Sequence, residues 1–355
     1  MTRIVYIGMD VHKDTYSLCS YDAHDNLLFS ETKIKADTDA VLSYLKCIEK
    51  KFIDDDVMIV CGYEAGPTGF TLCRELQKKN ISCVVMAPSS LPKAPDEKKR
   101  KTDKLDARKL ALHLAHNTYK AVHVLTPEME VIKELTRTRA TALKAQKKAK
   151  QNLLSFLLRK GMVYPYGGQS RYWTQKFFAW LKTLEFTNPL EKYSFEEYLT
   201  EVNHQMSRIA RLDAKIAELA EDPLIKDDVK KLCCFSGIST LTAVSLVSEI
   251  GDFNRFEKAS YFTSYLGLCP GTHSSGLSNQ SLGITKAGNK NLRCLLIEAA
   301  QAMGRSQICG KKSLRLQARQ KDMNPLVIAY ADKAAQRIKR RRNSMMFRGM
   351  NANKA

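Results

Sequence analysis

The chain has 355 residues, 44% of them hydrophobic, and 57 Lys and Arg against 37 Asp and Glu give a formal net charge of +20. That composition excludes wholesale disorder and suffices for two or three domains with packed cores. The positive excess points to a polyanionic partner, nucleic acid ahead of a membrane surface, and no apolar run approaches the roughly 18 residues of a spanning helix.

The N-terminus, MTRIVYIGMDVHKD, has too short an apolar stretch for a secretory signal, and Asp10 interrupts it, so an intracellular protein is expected. The ten cysteines form no C-x-x-C pair and sit mostly in apolar contexts such as MIVCGYE, as buried reduced thiols do. His113 and His116 are three apart on an expected helix, but no cysteine pair lies near them, and a zinc site is not expected there.

Residues 3–11, RIVYIGMDV, read as a strand whose apolar residues end at an acid. TYSLCSYD (15–22) and NLLFSETKI (26–34) follow at hairpin distances, with turn chemistry from Asp22 to Asn26. Residues 38–52 carry helical periodicity through Val41, Leu42, Tyr44, Leu45 and Ile48. VMIVCGYEA (57–65) is a continuous apolar run, as in a buried central strand. A helix over 67–80, a second buried strand over 81–88, a basic loop and a helix from about Asp103 to His116 complete the section. Three antiparallel strands followed by helix, strand, helix, strand and helix form the ribonuclease-H-like order, a mixed sheet with helices on its faces.

From Pro127 onward the texture changes. Residues 128–160 are rich in Lys, Arg and Ala, and Val202, Ile209, Leu212, Ile216 and Leu219 fall on a heptad seam with Gln205 as its one polar step. A helical hairpin or coiled coil over 127–222 follows, with an aromatic insertion, YPYGGQSRYWTQKFFAWL (164–181), suited to core packing or to stacking on RNA bases. The seam fits an internal helix pair or a second subunit equally well. A mainly helical region spans 223–345, and 346–355 is read as a tail. Residues 229–253 read as helix, Gly-containing turn, helix, the shape of a helix–hairpin–helix whose turn amides hold a DNA phosphate, or of a plain helical corner. A Gly- and Ser-rich stretch and a helix follow over 264–303. Arg337, Lys339, Arg340, Arg341 and Arg342 make the C-terminal end basic and are expected to be mobile, suited to phosphate contact or to solubility.

Four acids carry the candidate chemistry. Asp10 ends the first strand, Glu64 ends the central one, and Asp103 and Asp106 share one helix face at i and i+3. Taken singly, an Asp after a strand is a turn or cap residue, and Asp103 is a natural N-cap. In a ribonuclease-H-like sheet the four converge, and such crowding repels by several kcal/mol unless cations bind. Mg²⁺ or Mn²⁺, which take hard oxygen ligands, suit that arrangement and polarise a phosphodiester.

The segments GMDVHKD, GYEAGPTG, KTDKLDARKLA and LGLCPGTHSSG…GITKAGNKNLR, in order and over nearly the whole chain, resemble the DEDD transposases of the IS-one-ten insertion-sequence family, relatives of the Piv invertases. The resemblance implies a RuvC-like domain over 1–126 whose Asp10, Glu64, Asp103 and Asp106 bind Mg²⁺. It also implies a C-terminal transposase domain with a nucleophilic serine beside glycine, here Ser275 before Gly276, with Ser274 as the other member of the pair. Attack by its hydroxyl gives a covalent phosphoserine and a free 3′-OH. Further implications are a structured non-coding (bridge) RNA as guide, donor and target DNA as partners, a homodimer or tetramer, and residence in the prokaryotic cytoplasm on the nucleoid. With sequence read by base pairing, the protein needs only backbone contacts. Lys93, Lys98, Lys99, Arg100, Lys101, Lys286, Lys290 and Arg293 are candidates for those contacts, as are the basic residues of 137–150. Two other classes stay open: a RuvC-like endonuclease or junction resolvase with a structural serine, and a non-catalytic nucleic-acid-binding protein.

Overall fold

The computed structural model describes residues 2–53, 55–91, 102–166, 172–275, 278–305 and 312–352. The chain divides into two compact units, Met1–Leu125 and Thr126–Ala355.

The first unit runs β1 (Arg3–Val11), β2 (Thr15–Asp22), β3 (Leu27–Lys35), α1 (Thr38–Lys51), β4 (Val57–Glu64), α2 (Thr71–Lys78), β5 (Ser82–Met86) and α3 (Asp103–Ala115). Its five strands lie in the order β3-β2-β1-β4-β5. β1, β2 and β3 pair antiparallel, whereas β4 runs parallel to both β1 and β5, so the sheet is mixed. Successive side chains alternate between faces. Val5, Ile7 and Met9 of β1, with Cys61 and Tyr63 of β4, are therefore buried together with Val41, Leu45 and Ile48 of α1 and Leu72 and Leu76 of α2. Tyr6, Val60 and Val84 point the other way and pack on Leu110 and Leu114 of α3. The helix expected over 67–80 is shorter. Gly69 has φ +71, outside the helical region, so the chain turns before Thr71.

The second unit contains α4 (Pro127–Arg159), α5 (Gln175–Leu181), α6 (Pro189–Leu219), α7 (Lys226–Cys233), α8 (Thr240–Ile250) and α9 (Ala259–Tyr265). A two-stranded ribbon of β6 (Pro270–Ser275) and β7 (Ser278–Ile284) follows, then α10 (Lys290–Arg305), α11 (Leu314–Gln320) and α12 (Pro325–Ala352). Thr126 caps α4 by accepting from the Met129 amide, and Pro127 occupies the first turn, where its missing N–H costs nothing. α4 and α6 lie antiparallel. Lys160 past the end of α4 pairs with Glu191 at the start of α6, and Arg139 Nε lies 2.7 Å from Asp213 Oδ1. Val202, Gln205, Ile209 and Ile216 are buried in this chain, so the seam packs internally. Gln205 bonds Glu201 through its Nε2 at 2.9 Å.

Among the described residues of the aromatic insertion, Tyr164, Phe177 and Leu181 are core, whereas Tyr166 is exposed. Phe177 is 0% exposed, Tyr164 and Leu181 are also buried, and they pack with Leu153 and Phe156 of α4 and Val202 of α6. Tyr164 meets Phe177 edge-on at 5.1 Å, and Lys150 Nζ stands 4.9 Å from the Trp173 ring. The basic C-terminal stretch, expected to be mobile, is helical: α12 continues through Ala352. No described helix is long and apolar enough to cross a membrane.

Candidate active site

Two glycines set where α3 can lie. On β1 and β4 the residues facing α3 are the even-numbered ones, and Gly8 and Gly62 are among them. A Cβ on Gly8 would stand 2.2 Å from the Ala107 carbonyl oxygen and 2.2 Å from the Ala111 nitrogen, so α3 rests on bare strand backbone. On Gly62 a Cβ would stand 2.8 Å from the Met86 methyl and 3.1 Å from Leu114 Cδ2. Asp10 and Glu64 come two residues after these glycines, on the same face and at the same end of the sheet. The last pair of the β1–β4 register is Met9 with Tyr63, so Asp10 and Glu64 follow it side by side at the C-terminal ends of these parallel strands, Asp10 still paired with Ser17 of β2 and Glu64 with Met86 of β5.

The first turn of α3 brings the other acids to that edge. Thr102 caps the helix, its hydroxyl accepting from the Leu105 amide at 3.4 Å. Asp103 is therefore spared the capping task and lies one turn before Ala107. β3 anchors the helix from the side: Arg108 pairs with Glu31, and Lys33 Nζ lies 2.9 Å from Asp103 Oδ2.

His12 completes the edge. Its Nε2 is 3.1 Å from Asp10 Oδ2 and 3.8 Å from Asp103 Oδ1. One ligand atom each from Asp10, His12 and Asp103 lies within 4.8 Å of the others. Partial burial pushes the Asp10 carboxyl up; the charges of Asp106 and Asp103 add to this, and His12 opposes it. Asp103 is held below the usual carboxylate range by the Lys33 hydrogen bond and charge. Asp106 lies 4.0 Å from Lys109 Nζ.

This arrangement fits a divalent cation. A carboxylate from β1 and one from the first turn of α3 converge with the His12 imidazole, and burial, with the charges of the neighbouring acids added to it, raises the Asp10 carboxyl. Asp10 and Asp103 are brought together. Asp106 is close enough to act on Asp10 electrostatically, and Glu64 sits exposed at the adjoining strand end outside the group of three. His12 and Lys33 are not among the residues expected at the site. The signal for His12 is its i+2 spacing from Asp10; that for Lys33 is the Glu31, Lys33 alternation on the strand beside α3.

Ser275 is the last residue of β6 and pairs in register with Ser278, and Ser274 pairs with Asn279. Gly276 lies outside the described residues, as do Lys93, Lys98, Lys99, Arg100 and Lys101. Lys286 and Lys290 are exposed around the start of α10. Arg293 is not: it is 8% exposed and its Nη1 donates to the Leu266 carbonyl at 2.7 Å, which ties α10 to the turn after α9 and leaves the guanidinium no position on a phosphate.

A buried carboxylate anchors the β7–α10 loop. Glu249 of α8 is 5% exposed. It accepts from Arg137 Nε and Nη2 at 2.7 and 3.0 Å and from Asn289 Nδ2 at 2.8 Å. Asn289 Oδ1 in turn accepts from the Asn291 and Leu292 amides, capping α10. Burial raises the Glu249 carboxyl, but these donors outweigh it and leave it below the usual range.

Known proteins resemble this chain along most of its length. Residues 7–161 match a DEDD transposase domain of the IS110 type, and residues 229–314 match the transposase IS116/IS110/IS902 family. The transposase for insertion sequence element IS1533 of Leptospira borgpetersenii is 30% identical over 342 residues, 95% of each chain. The transposase for IS1111A of Coxiella burnetii is 26% identical, over 94% of this chain and 88% of its own. The pilin gene-inverting protein of Moraxella bovis is 30% identical over 132 residues, 36% of this chain and 41% of its own.

Proposed function

The chain belongs to the IS110/IS116/IS902 family of insertion-sequence transposases, and from that premise we propose that it cuts and rejoins DNA by serine transesterification at a cation-dependent acidic site. The observation that carries this reading is the convergence of Asp10 and Asp103 with His12 at the C-terminal end of the central strand, beside a helix seated on Gly8. The strand order β3-β2-β1-β4-β5 supports a RuvC-like domain in the first unit.

Asp10, Glu64, Asp103 and Asp106 hold the cation, Mg²⁺ or Mn²⁺, which when bound withdraws charge from a phosphodiester oxygen. Lys33 keeps Asp103 ionised and oriented. Ser275, at the tip of the β6–β7 ribbon, supplies the nucleophile, with Ser274 as its alternate. Its Oγ gives up a proton and bonds to phosphorus, the P–O3′ bond breaks, and the 3′ oxygen takes a proton. Attack by another strand's 3′-OH on the phosphoserine reverses the exchange, so bond energy is retained and no nucleotide cofactor is consumed.

A structured bridge RNA guides the reaction, and two or four copies act together on donor and target DNA. The net charge of +20 supports a polyanionic partner of this size. Lys98 to Lys101, Lys286 and Lys290 contact backbone phosphates. The 223–345 region works as the transposase domain behind the helical hairpin of 127–222. The test is Asp103→Asn: strand cleavage should vanish while DNA and RNA binding persists. Undiminished cleavage would overturn the assignment of the acids.

A further inference from the structure

The edge that holds the acids also holds an imidazole, and the geometry points to a use for it. We infer that His12 is itself a ligand of the cation, making with Asp10 and Asp103 a mixed nitrogen–oxygen set that favours Mn²⁺ over Mg²⁺. This rests on the reading above that the acids bind a divalent ion.

Ligands at right angles around one ion, with bonds of about 2.1 Å, stand about 3 Å apart, and wider angles move them further apart. His12 Nε2 stands 3.1 Å from Asp10 Oδ2 and 3.8 Å from Asp103 Oδ1, both within that range. The same nitrogen faces both acids, as a shared ligand position requires. A partner for Asp10 alone would need only the first of these approaches.

The surroundings prepare the set. Lys33 holds Asp103 Oδ2 at 2.9 Å, which fixes the carboxylate plane while Oδ1 faces His12. Lys33 is thus a positioning residue. His12 lies just beyond β1, two residues after Asp10, and its amide donates to the Thr15 carbonyl at 3.1 Å, so the β1–β2 hairpin fixes its backbone. Its side chain is 53% exposed, open to an ion arriving from solvent. Ligand type then sets preference. Carboxylates accept Mg²⁺ and Mn²⁺ alike, whereas imidazole suits transition ions and Mg²⁺ takes it poorly.

The test uses the full chain with Mn²⁺ alone and Mg²⁺ as competitor, and follows binding rather than activity. Pulsed electron paramagnetic resonance of the Mn²⁺ complex should show ¹⁴N coupling in wild type that is absent in His12→Gln. His12→Gln should also bind Mn²⁺ at least about tenfold more weakly, with its Mg²⁺ affinity little changed. Asp10→Asn should weaken both ions. If Asp10→Asn weakens Mn²⁺ binding but wild type shows no ¹⁴N coupling, or coupling persists in His12→Gln, the histidine assignment is overturned and the acids stand. If Asp10→Asn leaves Mn²⁺ binding unchanged, both this inference and the reading it rests on fail. Should His12→Gln misfold, His12→Asn takes its place in the same comparison.

Discussion

Gly8 and Ala107 meet backbone to backbone: a Cβ on Gly8 would lie 2.2 Å from the Ala107 carbonyl oxygen. That close approach sets how near α3 lies to β1, and with it the distance from Asp103 to Asp10. Gly8→Ala must therefore push the helix off the sheet. Overpacking of this kind costs about 1–3 kcal/mol. The expected outcome is a lower melting temperature together with loss of strand cleavage, since Asp103 and Asp106 retreat from Asp10. A control, Gly161→Ala, meets no atom within 4 Å, though its φ of +69 carries ordinary backbone strain. It should melt slightly lower and cleave normally.

Removing single carboxylates separates chemistry from binding. Asp106→Asn and Glu64→Gln are expected to abolish cleavage and leave nucleic-acid affinity unchanged or slightly raised, because a negative charge near phosphate is removed. Filter binding and a cleavage gel on the same preparations check both halves.

Much of the first unit was legible in the sequence. Each strand was an apolar or alternating run of ordinary length, and two of them ended in an acid, so Asp10 and Glu64 stood out as interruptions. Asp103 and Asp106 stood out by helical spacing. Less visible was what brings the acids together. Gly8 and Gly62 read locally as small residues in strands, and their meaning depends on a helix about 100 residues later in the chain for Gly8 and half that for Gly62. His12 and Lys33 were hidden among many basic residues, where only strand alternation singles them out. The β6–β7 ribbon escaped because PGTHSS and SNQSLGI lack an apolar alternation. Arg293 read as a surface cation, since sequence does not reveal that a carbonyl is waiting inside. The heptad seam was plain, yet only the fold decides whether its partner is α4 or another chain.

Basic residues should act through salt. Replacing Lys98, Lys99, Arg100 and Lys101 with Ala is expected to weaken binding evenly across sequences. The slope of log affinity against log salt should become shallower by up to about 0.9 for each phosphate that the protein no longer neutralises. Lys286→Ala with Lys290→Ala should behave likewise. Arg293→Ala should instead lower stability and barely alter the slope, because its guanidinium is committed to the Leu266 carbonyl.

Glu249 gives a pH dependence whose sign is fixed. Its carboxyl sits below the ordinary glutamate value of 4.5 in the folded chain, held there by Arg137 and Asn289 against the cost of burial. A depressed carboxyl contributes stability that is present above its unfolded value and is lost as pH falls through the folded value. Stability should therefore drop as the pH falls below 4.5, and Glu249→Gln should show a flatter acid limb. At neutral pH that variant should lose about 1–3 kcal/mol, the cost of leaving buried donors poorly satisfied. Urea denaturation across pH checks both expectations.

The central claim, a covalent serine exchange supported by the acidic edge, is tested most directly by looking for the adduct. End-labelled DNA, guide RNA and a divalent cation are incubated with wild type, Ser275→Ala and Asp106→Ala, then resolved on a denaturing gel. The account predicts a protein–DNA adduct with wild type and none with either variant. Cleavage by Ser275→Ala at the wild-type rate, with no adduct in any lane, would contradict it and show hydrolysis instead.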